Sequence, residues 1–253
     1  MIKLFKDNIK YILQSIGVLL SVLVSFYIDS IRVENQNALY KNELVKDLQS
    51  IIANERTQIK NIEDLQIRCR NAADELIYDI TQNSNKLSDR EIAENILLLT
   101  ERGSVSFFSQ SSLYEELKHT GSTRLIKSDN FRYALSNTYN NLNQRNLAVS
   151  RIIDDYFFRA LARINKKIII FSKEEKSPDG YVYADLIPTY FEIDKNYYKS
   201  NEFLGDINQL KSLVERYLNM LDKLDESYKL LRIYSEEELN SYWIHTFEYV
   251  DSD

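Results

Sequence analysis

Residues Tyr11 to Ile28 read YILQSIGVLLSVLVSFYI, and this stretch decides the architecture because its eighteen residues carry no charge. A helix of that length spans about 27 Å, close to the thickness of the hydrocarbon core of a bilayer. Lys10 and Asp29 bound the stretch, and aromatic residues lie near both ends, where the membrane interface favours them. The sequence therefore predicts a transmembrane helix over 11–28.

Two other interpretations of this segment stay open. The basic residues Lys3, Lys6 and Lys10 are compatible with a cleaved signal peptide, but residues 25–29 (SFYID) offer no A-x-A-like pair of small residues for cleavage. The second alternative is a buried core helix. The lysines of the lead-in, residues 1–10, favour a cytoplasmic N-terminus for a single-pass protein of the cell inner membrane.

Small and polar residues fall on one face of the predicted span. Gln14, Gly17, Ser21 and Ser25 lie within an arc of about 80° on a helix. Small residues four apart let a second helix approach closely, and Gln14 can donate a hydrogen bond across such a contact. This face predicts a homo-oligomer. The alternative is that serine is tolerated in lipid and that Gln14 reaches toward the headgroups.

The composition excludes several classes of protein. Five Gly and two Pro in 253 residues rule out a turn-rich all-β fold. A net charge of −6 argues against nucleic acid as a partner. One cysteine, Cys69, and two histidines, His119 and His245, argue against a disulfide and a Cys/His metal site. The isolated glycines form no phosphate-binding loop, so we expect no cofactor and no metal.

Helical periodicity continues after the membrane segment. No Gly or Pro lies between Val18 and Arg102, and apolar residues recur at three- and four-residue steps. These features predict a long stalk helix over residues 29–82. The spacing of Ser88-Asp89-Arg90-Glu91 predicts a capping box and a second helix, and Ser112-Leu113-Tyr114-Glu115 predicts another.

Two more long helices are expected. Ser128 caps one that we extend to Phe171, and Asp206 caps one that ends near Tyr242. Residues 83–253 would thus form the remainder of a helical bundle domain. The predicted fold class is mainly α, with an N-terminal transmembrane helix followed by a long antiparallel helical bundle that contains an irregular aromatic-rich excursion.

That excursion, Tyr181 to Leu204, carries five tyrosines, two phenylalanines and Pro188 without a sustained helical period. We interpret it as irregular, with a short strand at Tyr181 to Ala184. Its aromatic density suits a surface for a protein partner. The candidate surface consists of Tyr181, Tyr183, Tyr190, Phe191, Tyr197 and Tyr198. The alternative is that these rings only cover the bundle.

No pattern of catalytic residues emerges. His119 has serines nearby but no G-x-S-x-G elbow accompanies it. The carboxylate runs Asp154-Asp155 and Glu236-Glu237-Glu238 are interpreted as solvated helix faces, because adjacent residues point about 100° apart. We therefore expect a non-enzymatic, membrane-anchored protein that acts through oligomeric assembly, as a scaffold or membrane effector. A membrane-bound sensor or partner-binding domain is the alternative, and an unrecognised enzyme is third.

With its basic lead-in, the run Ile16 to Ser25 resembles an uncharacterised family of single-pass bacterial membrane proteins with a helical domain of unknown function. The spacing Tyr114-x-x-Leu117-x-x-x-Gly121-x-x-x-x-Ile126 is similar to a tyrosine-leucine-glycine-isoleucine segment of that family. The chain lacks the second membrane glycine and the Trp-Asn-Glu that often follow the span. The resemblance implies a membrane-anchored helical domain and adds no activity.

Overall fold

Two long antiparallel helices organise the protein. The structure is a computed structural model that describes residues 2–84, 86–175 and 185–240, with side chains from Gln14 onward. Helix α1 spans Ile2–Thr81 and helix α7 spans Asn201–Asn240. The mainly α fold class is confirmed.

Helix α1 is a single rod of 80 residues, which corresponds to about 120 Å. Side chains from Gln14 to Tyr40 are exposed except for Ala38, which is half-buried. From Lys41 onward the helix enters the bundle and contributes a buried residue at every three or four positions. No Gly or Pro follows Gly17 in α1, and the helix is unbroken. Its residues 29–40 form an exposed neck between the apolar segment and the bundle.

The end of α1 is stabilised by local polar contacts. Asn83 adopts a left-handed conformation with φ of 44°, which asparagine tolerates better than most residues. Asp79 Oδ1 accepts hydrogen bonds from Ser84 Oγ at 2.7 Å and from the Lys86 N–H at 2.9 Å. The predicted capping box at Ser88 is confirmed and begins helix α2, Asp89–Arg102.

Short helices follow the loop after α2. Helix α3, Ser112–His119, begins after Ser111, whose side chain makes no capping hydrogen bond. The capping box predicted from Ser112 is therefore wrong, because Ser112 already lies inside the helix. Gly121 has φ of 71°, the conformation that a glycine beyond a helix end supplies at low cost.

The next rod consists of three consecutive parts: helix α4 (Asp129–Ser136), a π-helical segment (Asn137–Leu142) and helix α5 (Asn143–Ile164). The Ser128 cap is confirmed, since its side chain accepts from the Phe131 N–H. A short 3-10 turn, Ser122–Leu125, precedes it.

The prediction that this rod continues to Phe171 is wrong, because the chain forms strand β1 over Ile168–Glu174. Its run of Ile and Phe is β-branched and aromatic, which favours a strand, and a short apolar run does not distinguish strand from helix by period. Strand β2, Leu186–Ile193, pairs with it antiparallel, with Phe171 opposite Tyr190. The two strands form a hairpin at the side of the bundle, where β2 lies against α2.

The aromatic excursion is thus mostly regular structure. After β2, a single turn of helix α6 occupies Lys195–Tyr198, and α7 begins at Asn201 rather than at Asp206. The earlier start has a physical reason. Because Phe203 and Ile207 lie in the core, packing extends the helix at its N-terminal end beyond the predicted cap. The strand predicted at Tyr181 to Ala184 lies outside the described residues.

Candidate functional site

One helix near the N-terminus is long and apolar enough to cross a membrane. Its most apolar window of 18 residues has a mean hydropathy of 1.8, and none of it is buried within the chain. Large apolar side chains that cover most of a helix surface and have no partner within the chain need an apolar environment. The large exposed side chains are Ile16, Val18, Leu19, Leu20, Val22, Leu23, Val24, Phe26, Tyr27 and Ile28.

The membrane face of Gln14, Gly17, Ser21 and Ser25 is exposed on this helix. Nothing lies within 4 Å of the position that a Cβ on Gly17 would occupy. Ser21 Oγ donates to the Gly17 carbonyl at 2.8 Å, and Ser25 Oγ donates to the Ser21 carbonyl at 2.9 Å. Both hydroxyl protons are therefore satisfied inside the helix, and the surface that remains is small and shallow.

The aromatic candidates divide into exposed and buried groups. Tyr181 and Tyr183 lie outside the described residues. Tyr190 is 49% exposed and its ring lies 5.3 Å from that of Phe171 on the outer face of the hairpin. Phe191 is half-buried because neighbouring residues of a strand point to opposite faces. Within the described strands, the aromatic surface of the hairpin is the side that carries Tyr190 and Phe171.

Tyr197 and Tyr198 do not belong to a partner surface. Both are buried in the core, where each ring centroid lies 5.5 Å from that of Phe203. The Tyr198 hydroxyl donates to Asp79 Oδ2 at 3.0 Å, and burial raises the pKa of this phenol. The short helix α6 turns these two rings inward, so the prediction that they form part of a partner surface is wrong.

A buried glutamate forms the polar centre of the bundle. Glu55 on α1 has no exposed surface. Its carboxylate accepts from Ser109 Oγ at 2.7 Å, from the Gln110 N–H at 2.5 Å and from the Tyr139 hydroxyl at 3.3 Å. Among the described residues no cationic side chain pairs with it. Burial raises the pKa of Glu55, against the hydrogen bonds that lower it.

The tyrosines around Glu55 come from several helices. Tyr139 lies in the π-helical segment and stacks on Tyr114 at 5.0 Å between ring centroids. The Tyr228 hydroxyl of α7 lies 2.9 Å from Ser109 Oγ. Segments of π-helix are frequent at functional sites, and here the segment carries Tyr139, which contacts Glu55.

The loop between α2 and α3 crosses this interior. Phe107 is fully buried, its N–H donates to the Tyr217 hydroxyl at 2.6 Å, and its carbonyl accepts from Asn146 Nδ2 at 2.8 Å. Gln66 Nε2 donates to the Val105 carbonyl at 2.9 Å. Buried backbone groups need such partners, so polar side chains of the surrounding helices hold an irregular segment inside the bundle.

A buried ion pair joins α1 to α7 where α1 leaves the bundle. Lys41 Nζ lies 2.7 Å from Glu238 Oε1, and neither side chain is exposed. Glu238 also accepts from the Lys127 and Ser128 N–H groups at 3.1 and 2.9 Å. The interpretation of Glu236 to Glu238 as a wholly solvated face is therefore wrong, because Glu238 points into this contact.

Sequence reasoning missed Glu55 and Lys41, although both carry a detectable signal. Glu55 lies three residues after Ile52 and four before Ile59, both of which are buried. Lys41 precedes the buried Leu44 by three residues. A charged residue in register with an apolar helix face has this spacing, and the spacing identifies it as a candidate for burial.

The residues considered for catalysis or metal binding do not form a common site in the described parts of the chain. The side chain of His119 is 82% exposed and lies 3.9 Å from Glu115, and His245 lies outside the described residues. Cys69 is buried, and burial raises the pKa of its thiol to about 12, so it is not a nucleophile. In the described parts of the chain, no group of three His, Cys, Asp or Glu side chains could hold a metal ion.

A groove of about 400 Å³ lies between α1, α2 and the hairpin. Three arginines line it, and the pairs they form are Arg68 with Asp185 at 2.6 Å, Arg90 with Glu94 at 2.9 Å and Arg102 with Glu174 at 2.6 Å. Because each guanidinium already has a carboxylate partner, the described residues that line the groove carry no surplus of positive charge for an anion.

No family model, curated protein or solved structure matches the chain. The resemblance to uncharacterised single-pass membrane proteins therefore stays a prediction.

Proposed function

We propose that the chain is a non-enzymatic, membrane-anchored helical protein of the bacterial inner membrane that acts through assembly, as a scaffold or membrane effector. The continuity of α1 carries this proposal, because the apolar segment and the core of the bundle belong to one helix, Ile2–Thr81. A helix without a break transmits the orientation of its membrane segment to the bundle. Association of two anchors would therefore place two bundles side by side.

The position of the membrane face supports this arrangement. Lys41 faces α7 through its ion pair with Glu238. At about 100° per residue, Gly17, Ser21 and Gln14 lie roughly 120° to 180° around α1 from Lys41. A second α1 packed on the membrane face would thus approach from the side of α1 that is directed away from α7.

The energy expected from the membrane contact alone is modest. Apolar burial gives no drive between helices in lipid, and an interhelical hydrogen bond, such as one from Gln14, contributes about 0.6 to 2 kcal/mol. Two weak contacts on one rigid rod reinforce each other, because the first raises the effective concentration for the second. Contacts between the exposed necks would supply that second site.

Crosslinking of the full-length protein in native membranes tests the proposal. The variant Gly17→Ile with Ser21→Ile places branched side chains on the membrane face and should lower the oligomeric state. The matched control Leu19→Ile with Leu23→Ile alters the helix off this face and should leave crosslinking unchanged. Equal crosslinking of the two variants would leave the segment as a plain anchor and refute assembly through this face.

The alternative, a sensor or partner-binding domain, is favoured by one observation. Tyr190 and Phe171 form an exposed aromatic pair on the outer face of the hairpin, and aromatic rings are enriched in interface cores. If Tyr190→Ala abolished the capture of a co-purifying protein while the membrane-face variant retained it, partner binding would become the leading function.

A further inference from the structure

A seven-residue repeat runs through the apolar segment and the neck of α1. Counted from Gln14, the first and fourth positions of each heptad, a and d, follow one side of the helix at steps of three and four residues. These positions form a row that we call the seam. The a positions are Gln14, Ser21, Ile28 and Asn35, and the d positions are Gly17, Val24, Ile31 and Ala38. The seam covers about three and a half heptads, a length that indicates a coiled coil.

The seam is exposed within the described residues until α1 enters the bundle. Ile28 and Ile31 are 60% and 41% exposed, and Asn35 is exposed as well. The seam ends at the half-buried Ala38, because the next d position, Val45, is fully buried in the bundle. A helix with an apolar row outside the bilayer core is stabilised mainly by packing that row against a partner.

Helix α3 contacts the neck on a different side. The Tyr40 hydroxyl donates to Glu116 Oε1 at 3.3 Å. At about 100° per residue, Tyr40 lies roughly 140° to 180° around α1 from Ile31, Asn35 and Ala38. The contact with α3 therefore holds the far side of the neck and leaves the seam uncovered.

A common membrane restricts how a second copy can reach the seam. Two copies that are anchored with the same topology have parallel α1 helices, so equal residues lie at the same height. In such a pair the g position of one helix faces the next e position of the other. Tyr27 then faces Arg32 of the second copy, and Glu34 faces Leu39 of the second copy. Since no like charges meet, the neck is compatible with parallel pairing in register.

Asn35 is the polar member of the seam within the neck. It lies seven residues beyond Ile28, about 10 Å along the helix axis, and therefore outside the apolar segment. Isoleucine at both a and d, as at Ile28 and Ile31, favours three or four strands, whereas an asparagine at one a position specifies register and the number of strands. Its amide can both donate and accept a hydrogen bond across the seam.

We infer that two copies of the chain pair through the seam as a parallel, in-register coiled coil over residues 14–38, with the two Asn35 side chains hydrogen-bonded to each other. This inference rests on the proposed function and adds to it the number of chains and their contact in the neck. The seam joins the membrane contact to the neck contact on one helix face, so both form in the same pairing.

A cysteine in place of Asn35 tests the contact in the full-length protein. Two such cysteines face each other across the seam, so oxidation with copper phenanthroline in native membranes should convert Asn35→Cys into a disulfide-linked dimer. In the matched control, Val33→Cys, the thiol lies about 160° away around α1 from position 35, and the chain should stay monomeric after denaturation. Cys69 remains in both variants because its thiol is buried. Equal crosslinking of the two variants, or a mixed disulfide of Asn35→Cys with a different protein, would overturn the inference.

A second variant tests whether Asn35 limits the assembly to two chains. Asn35→Ile should shift the mass of the detergent-solubilised protein from two chains toward three or four. Gln36→Ile, which lies off the seam, should leave two chains. An unchanged mass in Asn35→Ile would contradict the role of Asn35.

The outcomes separate this inference from the proposed function. If Gly17→Ile with Ser21→Ile lowers the oligomeric state but Asn35→Cys crosslinks no faster than Val33→Cys, assembly stands and the seam in the neck is wrong. A wild-type chain that is monomeric in native membranes would overturn both.

Discussion

Lys41 Nζ lies 2.7 Å from Glu238 Oε1 although 197 positions separate the two residues, and both side chains are fully buried. Burial lowers the pKa of Lys41. Burial alone would raise the pKa of Glu238, but hydrogen bonds from Lys41 and from the Ser128 and Lys127 N–H groups hold it below its ordinary value. The pair joins α1 to α7 at the end of the bundle from which the neck of α1 extends.

Replacing one partner of this pair should destabilise the protein. Lys41→Met leaves Glu238 buried without its cation, which costs about 3–5 kcal/mol in comparable buried pairs. Adding Glu238→Gln should restore most of the loss. Denaturant unfolding of the detergent-solubilised full chain measures both, with the exposed Lys46→Met as control. Equal stability of Lys41→Met and Lys46→Met would show that the pair contributes nothing.

Glu55→Gln should stabilise the protein at neutral pH. Burial raises the pKa of Glu55 in the folded state. Between about pH 4.3, the ordinary pKa of Glu, and this raised pKa, the folded state therefore binds more protons than the unfolded state. The free energy of unfolding consequently falls as the pH rises through the folded pKa. Glutamine removes this dependence. The melting temperature of the variant should exceed that of the wild type at pH 7 and approach it below pH 4.3, whereas the exposed Glu43→Gln should show no difference. A variant that melts lower at every pH would contradict the prediction.

Two glycine substitutions should have opposite effects. A Cβ on Gly103 would overlap the Phe157 ring and the Leu99 carbonyl, so Gly103→Ala should cost about 1–3 kcal/mol through overpacking. Gly205 lies inside α7 with nothing within 4 Å of its Cβ position, and Gly205→Ala should stabilise by about 0.5–1 kcal/mol. Thermal unfolding compares them, and destabilisation by both would show that α7 is under strain at Gly205.

Two tyrosines of the aromatic segment should behave differently. Tyr190→Ala should change the melting temperature little, because its ring is half exposed on the hairpin. Tyr198→Ala should cost about 3–5 kcal/mol, since it leaves a cavity in the core and removes a donor from Asp79. The melting temperatures of the two variants check this directly. A large loss for Tyr190→Ala would assign its ring to the core and remove it from the candidate partner surface.

The lysines before the apolar segment predict that the bundle lies on the extracytoplasmic side. Protease added to intact spheroplasts should therefore degrade the bundle. A cytoplasmic marker protein should survive in the same sample. Protection of the bundle until the membrane is broken would reverse the orientation and favour a cytoplasmic partner.

Local chemistry made part of the fold predictable. Ser88 and Glu91 satisfy each other's backbone donors within four residues, and Ser128 caps its helix in the same local way. Such signals depend on near neighbours, so one sequence reveals them. Strand β1 was missed because Ile168 to Phe171 is too short an apolar run for its period to distinguish strand from helix.

The polar interior was not predictable in the same way. Charged side chains are seldom buried, so the spacing of Glu55 within an apolar face indicates burial but does not identify the groups that would satisfy its carboxylate. Its partner Ser109 lies 54 positions away along the chain, and Lys41, the partner of Glu238, lies 197 positions away. Only the tertiary arrangement shows that each carboxylate has donors to satisfy it.

The pairing of α1 with α7 can form only late in translation, because α7 follows α1 at a large distance along the chain. At about 5–20 residues per second, the 197 positions between Lys41 and Glu238 take roughly 10–40 s to translate. During that interval the apolar face of α1 has left the ribosome but its main packing partner does not yet exist. Since α1 precedes α7 in the chain, this face stays uncovered until α7 is made, and in that interval it is open to a chaperone or to the α1 of a neighbouring nascent chain.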